Sequence, residues 1–186
     1  MPKLLQGERV RLRPIESDED LRYLFKNFND PEAMGEHLNF EARSWDAFQA
    51  WLKDAAKSNS QLTFFLIVKN DDGRTIGSMV HFVPSPMSKS CLEIGYGIDE
   101  PSHRGKGYAP ESARLLIDYL FSTKPLERIQ ATANSDNIAS QRVLEKLGFV
   151  KEGTLRKNDF VKGRFVDTLI YSLLREEWEK EGHWAC

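Results

Sequence analysis

The sequence predicts a mixed α/β (α+β) fold, one domain over residues 1–186 with about seven strands and four helices. Three observations carry that prediction. Short runs with period-two alternation recur along the chain, stretches with helical apolar spacing lie between them, and a glycine-rich turn leads one strand straight into a helix. No internal repeat, low-complexity tract or linker divides the chain, and its length suits a single core.

In chain order, Arg9 to Arg13 alternates apolar and basic residues as a first strand, which Pro14 breaks. Ser17-x-x-Asp20 caps a helix whose apolar face is Leu21, Leu24, Phe25 and Phe28. A second helix starts near Ser44, with Phe48, Trp51, Leu52 and Ala55 as its buried stripe. Between them, Asp30 to Arg43 reads as irregular and carries His37 and Phe40, with Trp45 just beyond. Leu62 to Lys69 is a buried strand, and Asn70-Asp71-Asp72-Gly73 supplies the turn of a hairpin into Thr75 to Val83. Pro84 to Ser90 is a polar loop.

In the strand Cys91 to Ile98, Leu92, Ile94, Tyr96 and Ile98 form one apolar face, while Cys91, Glu93, Gly95 and Gly97 form the other. Two glycines strip that second face to backbone, leaving room for an extended ligand, with the carboxylate of Glu93 at its far end. The turn Arg104-Gly105-Lys106-Gly107-Tyr108-Ala109 lets backbone approach a ligand closely. The helix that follows has Ala113, Leu116, Ile117, Leu120 and Phe121 on one face, and Pro110 and Glu111 in its first turn. Its unpaired N–H groups and positive dipole end suit a phosphate or pyrophosphate. A tight strand-to-helix connection is the plainer reading of a bare Gly-x-Gly.

After the cradle helix, Arg128 to Ala133 reads as a short strand, and a helix from Ile138 to Leu147 is stopped by Gly148. Phe149 to Leu155 and Phe165 to Leu174 close the fold around Lys162-Gly163. Charge is near balance, 26 basic against 28 acidic side chains, so no nucleic-acid partner is expected. Two cysteines, Cys91 and Cys186, make no disulfide framework. No apolar stretch reaches the length of a membrane span, and no signal-type core opens the chain, so a cytoplasmic protein without membrane or metal is expected.

Arg104-x-x-Gly107-x-Ala109 resembles the acyl-CoA signature of the GNAT superfamily of N-acetyltransferases. Asn137-Ile-Ala-Ser140 through Gly148-Phe149 resembles the downstream block of the same family. The opening Gly7 to Pro14, Ser140, and the closing Tyr171 to Trp178 are similar to the RimJ/RimL type of ribosomal-protein N-terminal acetyltransferase. The resemblance runs from about Leu5 to Trp178 and implies a three-layer fold: a central, twisted, mostly antiparallel sheet flanked by helices. It also implies acetyl-CoA as acyl donor, an amine acceptor (a peptide N-terminus or small amine), a homodimer in keeping with the subgroup, and the first two helices with their connection as one wall of the acceptor site.

Under that resemblance, Gly105 to Ala109 would hold the pyrophosphate through backbone N–H groups, Arg104 and Lys106 would add positive charge, and the pantetheine arm would lie beside Tyr96, Gly97 and Ile98. Transfer of an acetyl group to an amine needs a proton acceptor for the amine and a proton for the departing thiolate. Glu93 matches the position of the base, against the reading of a solvated strand-face carboxylate. Many family members place a tyrosine seven residues after the asparagine, but that position here is Leu144, which leaves Ser140 for the leaving group. By the same resemblance the Asn137 side chain would contact the cofactor or order the splayed strands, and Ser140 and Asn137 also have plain readings as helix-terminal caps. His81 reads as a sheet residue, His103 as a neighbour of the cradle, Trp45 as packing, and Asp167 as a lone carboxylate suited to a cationic amine. Nothing places a cysteine as nucleophile, so direct transfer is expected. The alternative is a noncatalytic acyl-CoA sensor or scaffold of the same fold.

Overall fold

The computed structural model describes residues 5–38, 41–59, 61–85 and 87–180. Seven strands form one sheet in the order β1-β2-β3-β4-β5-β7-β6. They are β1 (Val10–Pro14), β2 (Thr63–Lys69), β3 (Thr75–Phe82), β4 (Cys91–Ile98), β5 (Arg128–Asn134), β6 (Val150–Val161) and β7 (Arg164–Leu174). Every pairing is antiparallel except β4 with β5. A parallel pair needs a crossover, and α4 (Tyr108–Thr123) provides it.

The helices sort by face. The aromatic stripe of α1 (Asp18–Phe28) and α3 (Trp45–Ser58) covers one side of β2, where Leu24, Phe48, Leu66 and Val68 are buried. Phe65 and Ile67, one position out of phase on the same strand, face the larger core beneath α4, α5 (Ile138–Lys146) and α6 (Arg175–Lys180). A strand covered on both faces reads as a continuous apolar run, which is what Phe64 to Val68 shows. Ser17 and Asp20 cap each other's backbone in a reciprocal box, and Arg13 grips the buried Asp20 carboxylate with two bonds of 2.7 Å.

Four readings need correction. Asp30 to Arg43 is not wholly irregular: α2 (Pro31–Met34) forms there, with Asp30 as its cap and Pro31 in its first turn. The strand expected to end at Leu155 continues to Val161, past irregular register at 155–159 where Lys157 takes φ 52°. The carboxylate of Asp167 is not lone: it accepts the Lys157 N–H at 2.8 Å, which fastens that irregularity. α6 carries Trp178, which stacks on Phe121 and is buried. Phe40 and Cys186 lie outside the described residues.

Candidate active site

The parallel pair β4–β5 is short. It runs from Cys91 opposite Arg128 to Glu93 opposite Gln130, after which β4 stays with β3 and β5 with β7. The sheet therefore forks, and Glu93 stands at the crotch. Gln130 Nε2 and Thr132 Oγ1 donate to its two carboxylate oxygens at 3.0 and 2.9 Å, which fixes the side chain across the fork.

Beyond Glu93 the exposed face of β4 is backbone. A Cβ built on Gly97 would meet only Asp99 Oδ1, at 3.6 Å, within 4 Å. The fork opens into a cleft of about 1120 Å³ that reaches the turn before α4. Glu93, Tyr96, Gly97, Ile98, Arg104, Gly105, Gly107, Tyr108, Ala109, Asn137 and Ser140 all line it. Lys106 is the one expected site residue that does not.

The cradle has the geometry its glycines imply. Gly107 is the N-cap of α4 at φ 83°, a left-handed conformation costly for a side chain, and no side-chain cap bonds the first-turn N–H groups. Arg9 holds the loop from behind: Nε pairs with Glu111 at 2.7 Å, and Nη1 and Nη2 donate to the carbonyls of Lys106 and Gly107. Glu111 also accepts the backbone N–H groups of Arg9 and Val10. Within the alternating β1 pattern, nothing local marks Arg9 for this task.

On the opposite side of the fork, Asn137 Oδ1 accepts the Ser140 N–H at 3.0 Å, so its carbonyl end serves as the cap of α5. The Tyr96 hydroxyl lies 3.0 Å from Ser140 Oγ. Burial pushes the Tyr96 phenol up to about 12, with the Ser140 hydrogen bond pulling the other way. Leu144, where a tyrosine was looked for, is fully buried. A phenol thus reaches the start of α5 from β4, a placement that motif spacing along α5 could not reveal.

Residues 33–38, in the connection expected to wall the acceptor site, line the same cleft. Arg104, expected to face phosphate, directs its guanidinium at carbonyl oxygens of Ile98, Glu32, Ala33 and Asp99. His81 sits off the cleft in the core, its ring beside Phe65, and burial with the Lys124 charge holds its imidazole near 4. His103 contacts Glu100 and Ser102, and Trp45 packs on Phe25 and Phe48. Among the described residues no group of acidic, histidine and cysteine side chains is arranged to hold a metal, and no helix is long and apolar enough to cross a membrane.

The family model for the acetyltransferase (GNAT) domain matches residues 9–150. The chain belongs to the GNAT family. It is 34% identical over 179 residues to an uncharacterized N-acetyltransferase, p20, of Bacillus licheniformis, covering 94% of this chain and 97% of that protein. Two solved structures share the fold at lower identity. A ribosomal-protein-S5-alanine acetyltransferase from Vibrio fischeri superposes with a TM-score of 0.76 at 23% identity, covering 93% of this chain and 97% of that one. A spermidine N-acetyltransferase from Vibrio cholerae, in complex with CoA and spermine, gives 0.80 at 22%, covering 93% and 99%. This GNAT chain is an acetyl-CoA-dependent N-acetyltransferase, with ribosomal-protein acetyltransferases of the RimJ/RimL kind among its structural neighbours.

Proposed function

We propose that this chain, working as one catalytic domain, transfers the acetyl group of acetyl-CoA directly to a primary amine, with Glu93 as the base. The observation that carries the proposal is the placement of Glu93 at the crotch of the fork, fixed by Gln130 and Thr132, at the end of a strand face bare of side chains. The pyrophosphate of the donor takes the N–H groups of residues 105–109. Its pantetheine arm runs along Tyr96 to Ile98, on the β4 edge that β5 has left.

The amine enters over Gly95 and Gly97 beneath the acceptor wall. Its nitrogen loses a proton to Glu93, directly or through water, and attacks the thioester carbonyl carbon. As the N–C bond is made and the C–S bond breaks, Ser140 Oγ delivers a proton to the thiolate and recovers one from the Tyr96 hydroxyl, while the second proton leaving the nitrogen passes to water, which returns a proton to the Tyr96 phenolate. A phenol raised to about 12 keeps its proton at neutral pH, so the pair stays loaded for that step.

A ribosomal-protein N-terminus and a polyamine, the acceptors named for the two solved neighbours, are the classes to try first. Release of free thiol from acetyl-CoA, measured with a panel of N-terminal peptides and small amines and paired with calorimetry of acetyl-CoA, tests the reading. Turnover on one class establishes the acceptor; binding without turnover on any member favours the acyl-CoA sensor. Glu93→Gln should lower kcat by about 100-fold, most at low pH, with acetyl-CoA affinity unchanged. Equal rates at every pH would remove Glu93 as the base.

A further inference from the structure

We infer that Arg104 and Asn134 are positioning residues for the acceptor, holding the wall at 31–38 across the open end of the fork. The inference rests on the reading of the cleft just given. A guanidinium next to a phosphate loop is expected to point its donors at the phosphate. Here Arg104 Nε donates to the Ile98 carbonyl at 2.9 Å, and Nη2 donates to the carbonyls of Glu32 and Ala33 at 2.8 Å each and to that of Asp99 at 3.3 Å. One side chain thus joins the end of β4 to α2.

The carbonyls it takes on α2 need a partner. In a four-residue helix all the carbonyls fall in the last turn, and of these the Pro31 carbonyl receives the Gly35 N–H. A cation at this end also meets the negative end of the helix dipole. On the other tine, Asn134 closes β5 and donates Nδ2 to the His37 carbonyl. The wall is therefore tied to both strands that the fork separates. No residue of α2 is fully buried, so these side-chain bonds add to its packing against α1 in holding it at the cleft. The cradle has its own support in Arg9 and Glu111, which separates the two roles experimentally.

The test uses Arg104→Ala and Asn134→Ala in the full chain. Three quantities are compared with wild type: steady-state kinetics on an acceptor that wild type acetylates, calorimetry of acetyl-CoA, and hydrogen exchange at the Met34 and Gly35 amides. Each variant is expected to raise the acceptor KM about tenfold, to leave kcat and the acetyl-CoA Kd within about twofold, and to speed exchange at both amides. A merely structural role would lower stability without moving the acceptor KM selectively. An acetyl-CoA Kd weakened about tenfold by Arg104→Ala with the acceptor KM unchanged makes Arg104 a phosphate ligand and overturns the inference. Unchanged exchange at Met34 and Gly35 in both variants overturns it as well. If Arg104→Ala does not fold, Asn134→Ala carries the same test. Exchange and calorimetry need no turnover, so a wild type inactive on every acceptor counts against the proposed function while the tie to the wall is still read.

Discussion

The turn at 104–109 and the segment at 31–38 both contribute to the lining of the cleft, and Arg104 joins them. The first leads into a sixteen-residue helix that buries six of its side chains, while the second contains a four-residue helix that buries none. The donor side is held by core packing: Ala113, Leu116, Ile117, Leu120 and Phe121 seat α4 on the sheet, and Arg9 with Glu111 braces its first turn. The acceptor side is held by a cap and a few side-chain bonds to carbonyl oxygens. On the proposed function, donor recognition is tied to fold stability, whereas the proposed acceptor wall can be altered with little effect on the core. Substitutions on the two sides should separate accordingly.

The largest effect is expected on the donor side. Gly107→Val forces a β-branched residue into φ 83°, and its Cβ would stand 3.1 Å from Arg9 Nη2. Strain of about 1–3 kcal/mol, with displacement of the brace, should weaken acetyl-CoA on the order of 100-fold while the acceptor KM at saturating donor stays unchanged. Calorimetry decides it: a loss under about threefold would mean that the donor does not rest on this turn.

A smaller effect follows on the acceptor side. Asp30 Oδ1 accepts the N–H groups of Glu32 and Ala33, and losing such a cap costs about 1 kcal/mol. Asp30→Ala should raise the acceptor KM about fivefold and leave acetyl-CoA binding as it was. If donor affinity fell in step, the two sides would not be independent.

The same contrast governs what the sequence made legible. The cradle was readable because its determinants are local: glycines at positive φ, an amphipathic helix, and an alternating strand, all within residues 91–121. Glu93 was readable from alternation, although its position at the crotch depends on where β5 departs, a long-range property. The wall was mostly hidden. Asp30-Pro31 is a local helix-start signal, but nothing near Arg104 or Asn134 announces partners about 70 to 100 residues away. Side-chain bonds to carbonyls leave no pattern, because every residue carries a carbonyl. Tyr96 was legible beside the pantetheine arm, but the reach of its hydroxyl to Ser140 depends on the fold.

The smallest effect on binding is expected at Asp99, where the two sides share a residue: its carbonyl accepts Arg104, and its side chain faces the Tyr23 hydroxyl of α1. Burial pushes its carboxyl from 3.8 up to about 6, opposed by the Tyr23 hydrogen bond and the Arg104 charge. Asn27 lies against the same hydroxyl, and Glu100 is the other carboxylate near it. Between those two values the folded chain holds a proton that the unfolded chain has released, so stability falls as pH rises from about 4 to about 6 and is level beyond. Asp99→Asn removes that loss. Its thermal midpoint should equal that of wild type near pH 4 and exceed it by about 6–12 °C at about pH 7, since a two-unit shift carries roughly 3 kcal/mol, with acetyl-CoA Kd and acceptor KM unchanged. A midpoint difference that stays constant over this range would show that the Asp99 carboxylate is not the titrating group. A selective rise in acceptor KM would instead place Asp99 in the acceptor wall and move the boundary between the two sides to the end of β4.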